Sequence, residues 1–254
     1  MGTEVILMSI AAFAAGFIDA VVGGGGLIQI PVGLILLPGV PVATIIGTTK
    51  IPSFCGTSIA AYKYSRQVKV HYKNLAIMAV IAGLSAFVGS KVLTVVSNDF
   101  MKPFLLVVLT CIAIYTYTKK NFGVHSEKDH TEAEHRIYIC IISLVLGFYD
   151  GFIGPGTGSF LILAFITLLG FDFLKASATA KFVNLATNVG SIIMFASSGR
   201  ILYHIAIPMA VCNAIGGYVG AHFAILRGNA FIRVFFLCVV GATILRFAWD
   251  VIGK

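Results

Sequence analysis

Charge is what this chain has least of. Asp, Glu, Lys and Arg make up 11% of its 254 residues, where a soluble domain carries about a quarter, so too little polarity remains to cover a water-facing surface. The same scarcity excludes a disordered chain, which needs high charge and low hydrophobicity. The lack of a Gly-x-y period removes a collagen-like fibre. Five cysteines (Cys55, Cys111, Cys140, Cys212, Cys238) with no CxxC pair exclude a disulfide scaffold, and all lie in apolar stretches as small core hydrophobes. No GK[ST] follows the glycine run at 23–26, hence no nucleotide-binding loop and no ATP-driven step. Met1 to Glu4 carries no Lys or Arg, so the first apolar stretch is expected to be a retained span, not a cleaved signal.

What is present is hydrophobicity, at 58% of residues with a mean hydropathy of +0.97. A bilayer core of about 30 Å takes about twenty helical residues. Runs of that order occupy 4–22, 42–62, 74–96, 103–118, 137–154, 174–197, 203–226 and 230–249. Two shorter runs, Leu27 to Leu37 and Phe160 to Leu169, follow glycine clusters and read as half-helices or re-entrant segments. The expected fold is therefore an all-α polytopic membrane helix bundle with eight spans plus two short segments, giving up to ten crossings. The net charge of +8 is parcelled between apolar runs, most densely at Lys63, Arg66, Lys69 and Lys73. That distribution suits cytoplasmic loops and not a nucleic-acid face.

One hydrophilic stretch, Lys119 to Arg136, divides a first membrane repeat (1–118) from a second (137–254). Laying the second half on the first at an offset of 131 residues gives about sixteen identities over positions 16–90. Among them Asp19 falls on Asp150, Gly23 and Gly25 on Gly154 and Gly156, and Thr48 and Lys50 on Thr179 and Lys181. Shared apolar composition does not align rare Asp and Lys, so the match is a duplication. If the two short segments are re-entrant, each half has four crossings and the halves are parallel; if they cross, each has five and the halves are inverted.

A charged residue at the centre of a membrane helix costs about 2.5 to 3.5 kcal/mol on insertion scales. Asp19, Asp150, Lys50 and Lys181, within or beside apolar runs, therefore need partners or water. They either pair and staple helices together or form a functional site. Lys50, Ser53 and Thr57 are spaced i, i+3, i+7, as are Lys181, Asn184 and Asn188, so each half carries a cation and two neutral hydrogen-bonding groups on one helical face. Thr48 and Thr179 offer further hydroxyls. Ammonium, hydroxyl and amide donors converging together suit an anion with several oxygens, such as a sulfonate or sulfite. The glycine clusters carrying Gly23, Gly25, Gly154 and Gly156 either present the N–H groups of a following half-helix to that anion or permit close helix packing. His125, His130 and His135 read as part of a solvated connector, not a metal site, and His222 as a packing residue. Neither a metal nor a cofactor is expected.

GFIDAVVGGGGLIQIP with GTTK in the first half, and GFYDGFIGPGTGSFL with ATAK in the second, resemble the paired signatures of the sulfite exporter TauE/SafE family, also described as the 4-toluene sulfonate uptake permease family. The second half departs from the glycine-rich form of the first, with GPGTGS in its place. The resemblance implies a multi-pass transporter of the bacterial inner membrane. Family members are linked to export or uptake of sulfite, sulfonates and related sulfur-containing organic anions. The expectation is a secondary transporter of a small anion, not an enzyme, with Asp19 and Asp150 as counter-charges or proton carriers. The partners expected are the anionic solute, membrane lipid and a second copy in a homo-oligomer, with no nucleic acid. The competing readings are a passive anion channel and an intramembrane aspartyl protease built on Asp19 and Asp150, though a GxGD motif is missing.

Overall fold

In the computed structural model the described residues are 2–68, 72–101, 104, 107 and 131–252, with side chains described as far as Arg227. They form the helices α1 (Gly2–Val22), α2 (Gly26–Leu36), α3 (Val42–Ser65), α4 (Tyr72–Val95), α5 (Glu132–Phe152), α6 (Thr157–Leu169), α7 (Phe173–Ser197) and α8 (Tyr203–Ile252). The expected span 103–118 lies outside the described residues apart from Phe104 and Val107, and so does most of the hydrophilic linker, with His125 and His130.

Helices α1, α4, α5 and the Tyr203–Arg227 part of α8 are long and apolar enough to cross a membrane. They coincide with four of the expected spans. Helices α3 and α7 occupy the expected 42–62 and 174–197; at 24 and 25 residues they have the length. Their hydropathy is diluted by buried Thr, Lys and Asn. Two expectations need correction. The break expected between 226 and 230 is absent, since α8 continues as helix to Ile252. The linker was expected to run to Arg136, yet α5 begins at Glu132. There the Thr131 hydroxyl accepts from the Glu134 N–H and the Glu134 carboxylate accepts from the Thr131 N–H, a capping box that satisfies two otherwise orphaned amides.

The polarity of the molecule is inside out. Leu84, Ile10 and Ile207 are 66%, 62% and 59% exposed, whereas Lys181 is 1% exposed. Such a surface fits lipid, and the buried charges then have to be satisfied by each other. Helices meet through small residues, as membrane packing favours. Gly147 and Gly151 of α5 lie on Ala82 and Ala86 of α4, while Gly216 and Gly220 of α8 lie on Phe13 and Phe17 of α1.

These contacts fix the helix directions. The in-step pairs just named make α4 parallel to α5 and α1 parallel to α8. Thr48 with Leu202, Gly56 with Asn213 and Lys63 with Tyr218 make α3 parallel to α8. By contrast, Gly47 near the start of α3 abuts Phe195 near the end of α7, so these two helices, which correspond at the 131-residue offset, run antiparallel. The short α2 turns back along α1, with Gly33 beside Met8. The opposed directions match the inverted alternative, and Gly23, just past the end of α1, meets Gly158 at the start of α6.

Candidate functional site

At the ends of α1 and α5 the chain leaves helical geometry. Gly23 has φ +79°, Gly154 +88° and Gly156 +79°, left-handed values that a side chain would strain. The two breaks meet: a Cβ on Gly23 would overlap the Gly158 backbone, the Ser159 N–H donates to the Gly23 carbonyl at 3.1 Å, and the Ser159 hydroxyl donates to the Val22 carbonyl at 2.8 Å. The starts of α2 and α6 consequently face each other across the middle of the bundle. Both half-helices present their partly positive ends there.

Around this junction the four intramembrane charges pair across the halves. The Lys50 Nζ lies 2.7 Å from the Asp150 Oδ2 and also donates to the Asp150 carbonyl at 2.7 Å. Reciprocally, the Lys181 Nζ lies 3.1 Å from the Asp19 Oδ2 and donates to the Asp19 carbonyl. Each lysine thus holds both the carboxylate and the last-turn carbonyl of the broken helix in the opposite half. Each carboxylate is engaged by a lysine of the opposite half, and no hydrogen bond between Asp19 and Asp150, the contact an aspartyl dyad is built on, is among the described ones.

A cavity of about 30 Å³ lies between the pairs, lined by Asp19, Lys50, Ser53, Asp150, Asn184 and Asn188, with Thr49, Ile30 and the glycines Gly23, Gly26, Gly154 and Gly158. The Asn188 amide donates to the Asn184 Oδ1 at 3.0 Å, and the Gln29 amide donates weakly to the Ser53 hydroxyl at 3.5 Å. Thr57 is off the cavity and supports it, its hydroxyl donating to the Asp19 Oδ2 at 3.2 Å. Lys181 is not among the lining residues. Thr48 is occupied structurally: its hydroxyl donates to the Thr44 carbonyl at 2.6 Å and accepts from the Leu202 N–H at 3.0 Å. Thr179 donates to the Lys175 carbonyl at 2.8 Å and faces a different pocket. Gly25 packs on Ala15 and Asp19, and Gly156 serves as the left-handed N-cap of α6.

Several residues at the site were not anticipated. Gln29 is 1% exposed and its Oε1 has no hydrogen-bond partner in the described structure. The Tyr64 hydroxyl donates to the Ala20 carbonyl at 3.1 Å, and the Tyr149 hydroxyl to the Pro155 carbonyl at 2.7 Å, so a tyrosine braces each helix break. Gln29 was detectable as the lone polar side chain in an apolar run. The tyrosines were not, because Tyr64 and Tyr149 are not equivalent positions in the repeat. No cluster of His, Cys, Asp or Glu suited to a metal occurs among the described residues. His222 is exposed on α8, its ring edge-on to Phe223.

Comparison with known proteins gives this geometry a context. The family model described as sulfite exporter TauE/SafE matches residues 8–247. The chain is 36% identical to a Sinorhizobium protein named probable membrane transporter protein ORF9, over 95% of this chain and 91% of that one. It is 33% identical to a Haemophilus influenzae protein named probable membrane transporter protein, over 87% of this chain and 85% of the relative. Identity to the Escherichia coli K12 protein named probable membrane transporter protein YfcA is 31%, over 96% and 89%. No solved structure matches. An apolar multi-helix exterior, charges paired in its interior and near full-length agreement with these sequences make the chain a membrane transporter of the sulfite exporter TauE/SafE family.

Proposed function

We propose that the protein is a secondary transporter of the bacterial inner membrane that carries a small anion with several oxygens: sulfite, a sulfonate or a related sulfur-containing organic anion. The observation that carries this reading is the reciprocal pairing of Lys50 with Asp150 and Lys181 with Asp19 around a polar cavity at two opposed half-helix starts. In the described form the two ammonium groups are neutralised by two carboxylates. An anion enters such a site favourably when it takes the place of a carboxylate on its lysine and the displaced carboxyl group accepts a proton. Charge in the low-dielectric interior then stays balanced. Anion and proton travel together on this account, with Ser53, Asn184 and Asn188 orienting the anion's oxygens. Thr48, which ties α3 to the start of α8 through the Leu202 N–H, and Thr179, which lies off the central cavity, do not line this site.

A cavity of about 30 Å³ has room for one or two waters. Solute binding therefore requires the half-helix junction to part. The antiparallel relation of α3 and α7 supports alternating access, in which equivalent elements of the two halves open the site to opposite faces in turn. Thermal stabilisation of purified protein tests the reading, because a bound ligand stabilises by mass action without any assumption about transport direction. Sulfite or an alkanesulfonate is expected to raise the midpoint in a concentration-dependent way, more strongly at lower pH. Stabilisation by cations alone, or channel-like conductance in a planar bilayer, would contradict it.

A further inference from the structure

Away from the central cavity, a pocket of about 230 Å³ opens between α4, α5 and the α6–α7 corner. Its walls are apolar (Met78, Ile139, Phe171) and its polar groups are Asn74, Thr179, His135 and Lys175. The Lys175 ammonium lies 4.1 Å from the centre of the Phe171 ring, and none of the described ion pairs supplies it with a carboxylate. Thr179 forms part of the wall two residues before Lys181, so the pocket reaches the stretch of α7 that leads to the inner ion pair.

The equivalent place at the opposite end of the molecule shows that this pocket is not simply a by-product of the repeat. At the offset of 131 residues, Met78, Ile139 and Asn74 correspond to Met209, Met8 and Ile205. Those three are 0%, 0% and 4% exposed and close the space as one packed cluster. Lys175 is replaced there by Thr44, and His135 by Glu4. One end is open and carries Lys175; at its counterpart the described equivalents are packed shut, with Thr44 in the place of that lysine. The open end is also the one that carries the α3–α4 connection and the start of α5, and hence the basic group of Lys63, Arg66 and Lys73. Such an end faces the cytoplasm under the positive-inside rule.

We infer that this pocket is a second, outer binding site at the cytoplasmic end for a monovalent organic anion, one with a carboxylate or sulfonate head on an apolar ring or short chain. The head sits at Lys175 with Asn74, and the body fills the space along Met78, Ile139 and Phe171. The inference rests on the transport reading and adds a way-station through which the solute passes between the cytoplasm and the paired charges. A pocket of this size and lining favours an organic anion over sulfite, which has no apolar body to bury.

Equilibrium titration of full-length protein in neutral detergent tests this, with benzoate, butanesulfonate and sulfite as probes. The K50Q/D150N variant serves as background so that the outer pocket alone is read. Both organic probes are expected to bind and sulfite to bind much more weakly. K175Q is expected to weaken the organic probes by about tenfold or more, the loss of one charge-assisted contact, and K175R to restore them. N74F, which fills the pocket, should abolish binding without moving the thermal midpoint. In the otherwise wild-type chain K175Q should raise the KM for uptake of butanesulfonate and leave kcat nearly unchanged. Wild-type affinity in both K175Q and N74F would overturn the outer site, even if exchange still depends on Lys50. Displacement of the probes by phosphatidylglycerol, with uptake unaltered in K175Q, would assign the pocket to a lipid head group and overturn it equally. Unaltered exchange in K50Q/D150N with intact probe binding would instead sink the central-site reading and leave the pocket standing.

Discussion

At the scale of single residues, Lys50, Asp150, Lys181 and Asp19 serve two roles that substitutions can separate. Their exposures are 5% for Lys50, 3% for Asp150 and 1% for Lys181, so removing one partner leaves the other as a buried, uncompensated charge. Losses of that kind cost about 3 to 5 kcal/mol. D150N alone is therefore expected to lower the thermal midpoint sharply, and K50Q/D150N, which removes both charges and leaves two amides, to recover most of it. Circular-dichroism melts of the three proteins measure this. A double variant no more stable than D150N would show that the pair is not the source of the loss. Gln29 invites a milder prediction. With its Oε1 unpartnered beside Ser53, Q29L should cost little stability, and an effect on solute affinity would place the amide in the binding path.

At the scale of elements, the helix breaks are the parts least tolerant of change. Gly23 has a left-handed φ and the Gly158 backbone stands against it, so G23A strains the chain and forces the half-helix starts apart at once. The expected result is a poorly folded or misassembled protein, seen as loss of the monodisperse peak on size exclusion. G24A has only ordinary contacts around its added Cβ and should behave like wild type. At the start of α5, T131A removes half of the capping box and should cost about 1 kcal/mol. Since the box lies on the surface, far from the paired charges, exchange kinetics should be unchanged.

At the scale of the whole molecule, the sequence carried more of the site than of the topology. Asp19, Lys50, Asp150 and Lys181 were visible because an ionisable residue in an apolar run is costly, and the 131-residue offset supplied their correspondence. What pairs with what was hidden, since each lysine reaches the aspartate of the other half over 100 residues or more. Two helical-face groupings were only partly realised. Ser53, Asn184 and Asn188 line the cavity, while Thr57 props Asp19 from behind. The direction of the halves was undecidable from hydropathy, because it shows only in which ends of α3 and α7 meet, Gly47 against Phe195. The start of α5 was legible in the Thr131 to Glu134 capping box, inside a stretch that composition alone marked as linker. If the basic α3–α4 connection and the start of α5 share the cytoplasmic end, a cysteine at Tyr72 or Glu132 should resist an impermeant maleimide added to intact cells. Labelling of either from outside would reverse the sidedness.

The central claim is that the paired charges carry the solute, and exchange of labelled sulfite across proteoliposomes tests it most directly. The comparison is between wild type and the two charge-neutral double variants, K50Q/D150N and K181Q/D19N, each reconstituted from a monodisperse peak. Exchange is predicted to fall by at least about tenfold in both, the loss of one charge-assisted contact, with thermal midpoints near wild type. Wild-type exchange rates in both double variants would contradict the account and leave the two ion pairs as staples between the halves.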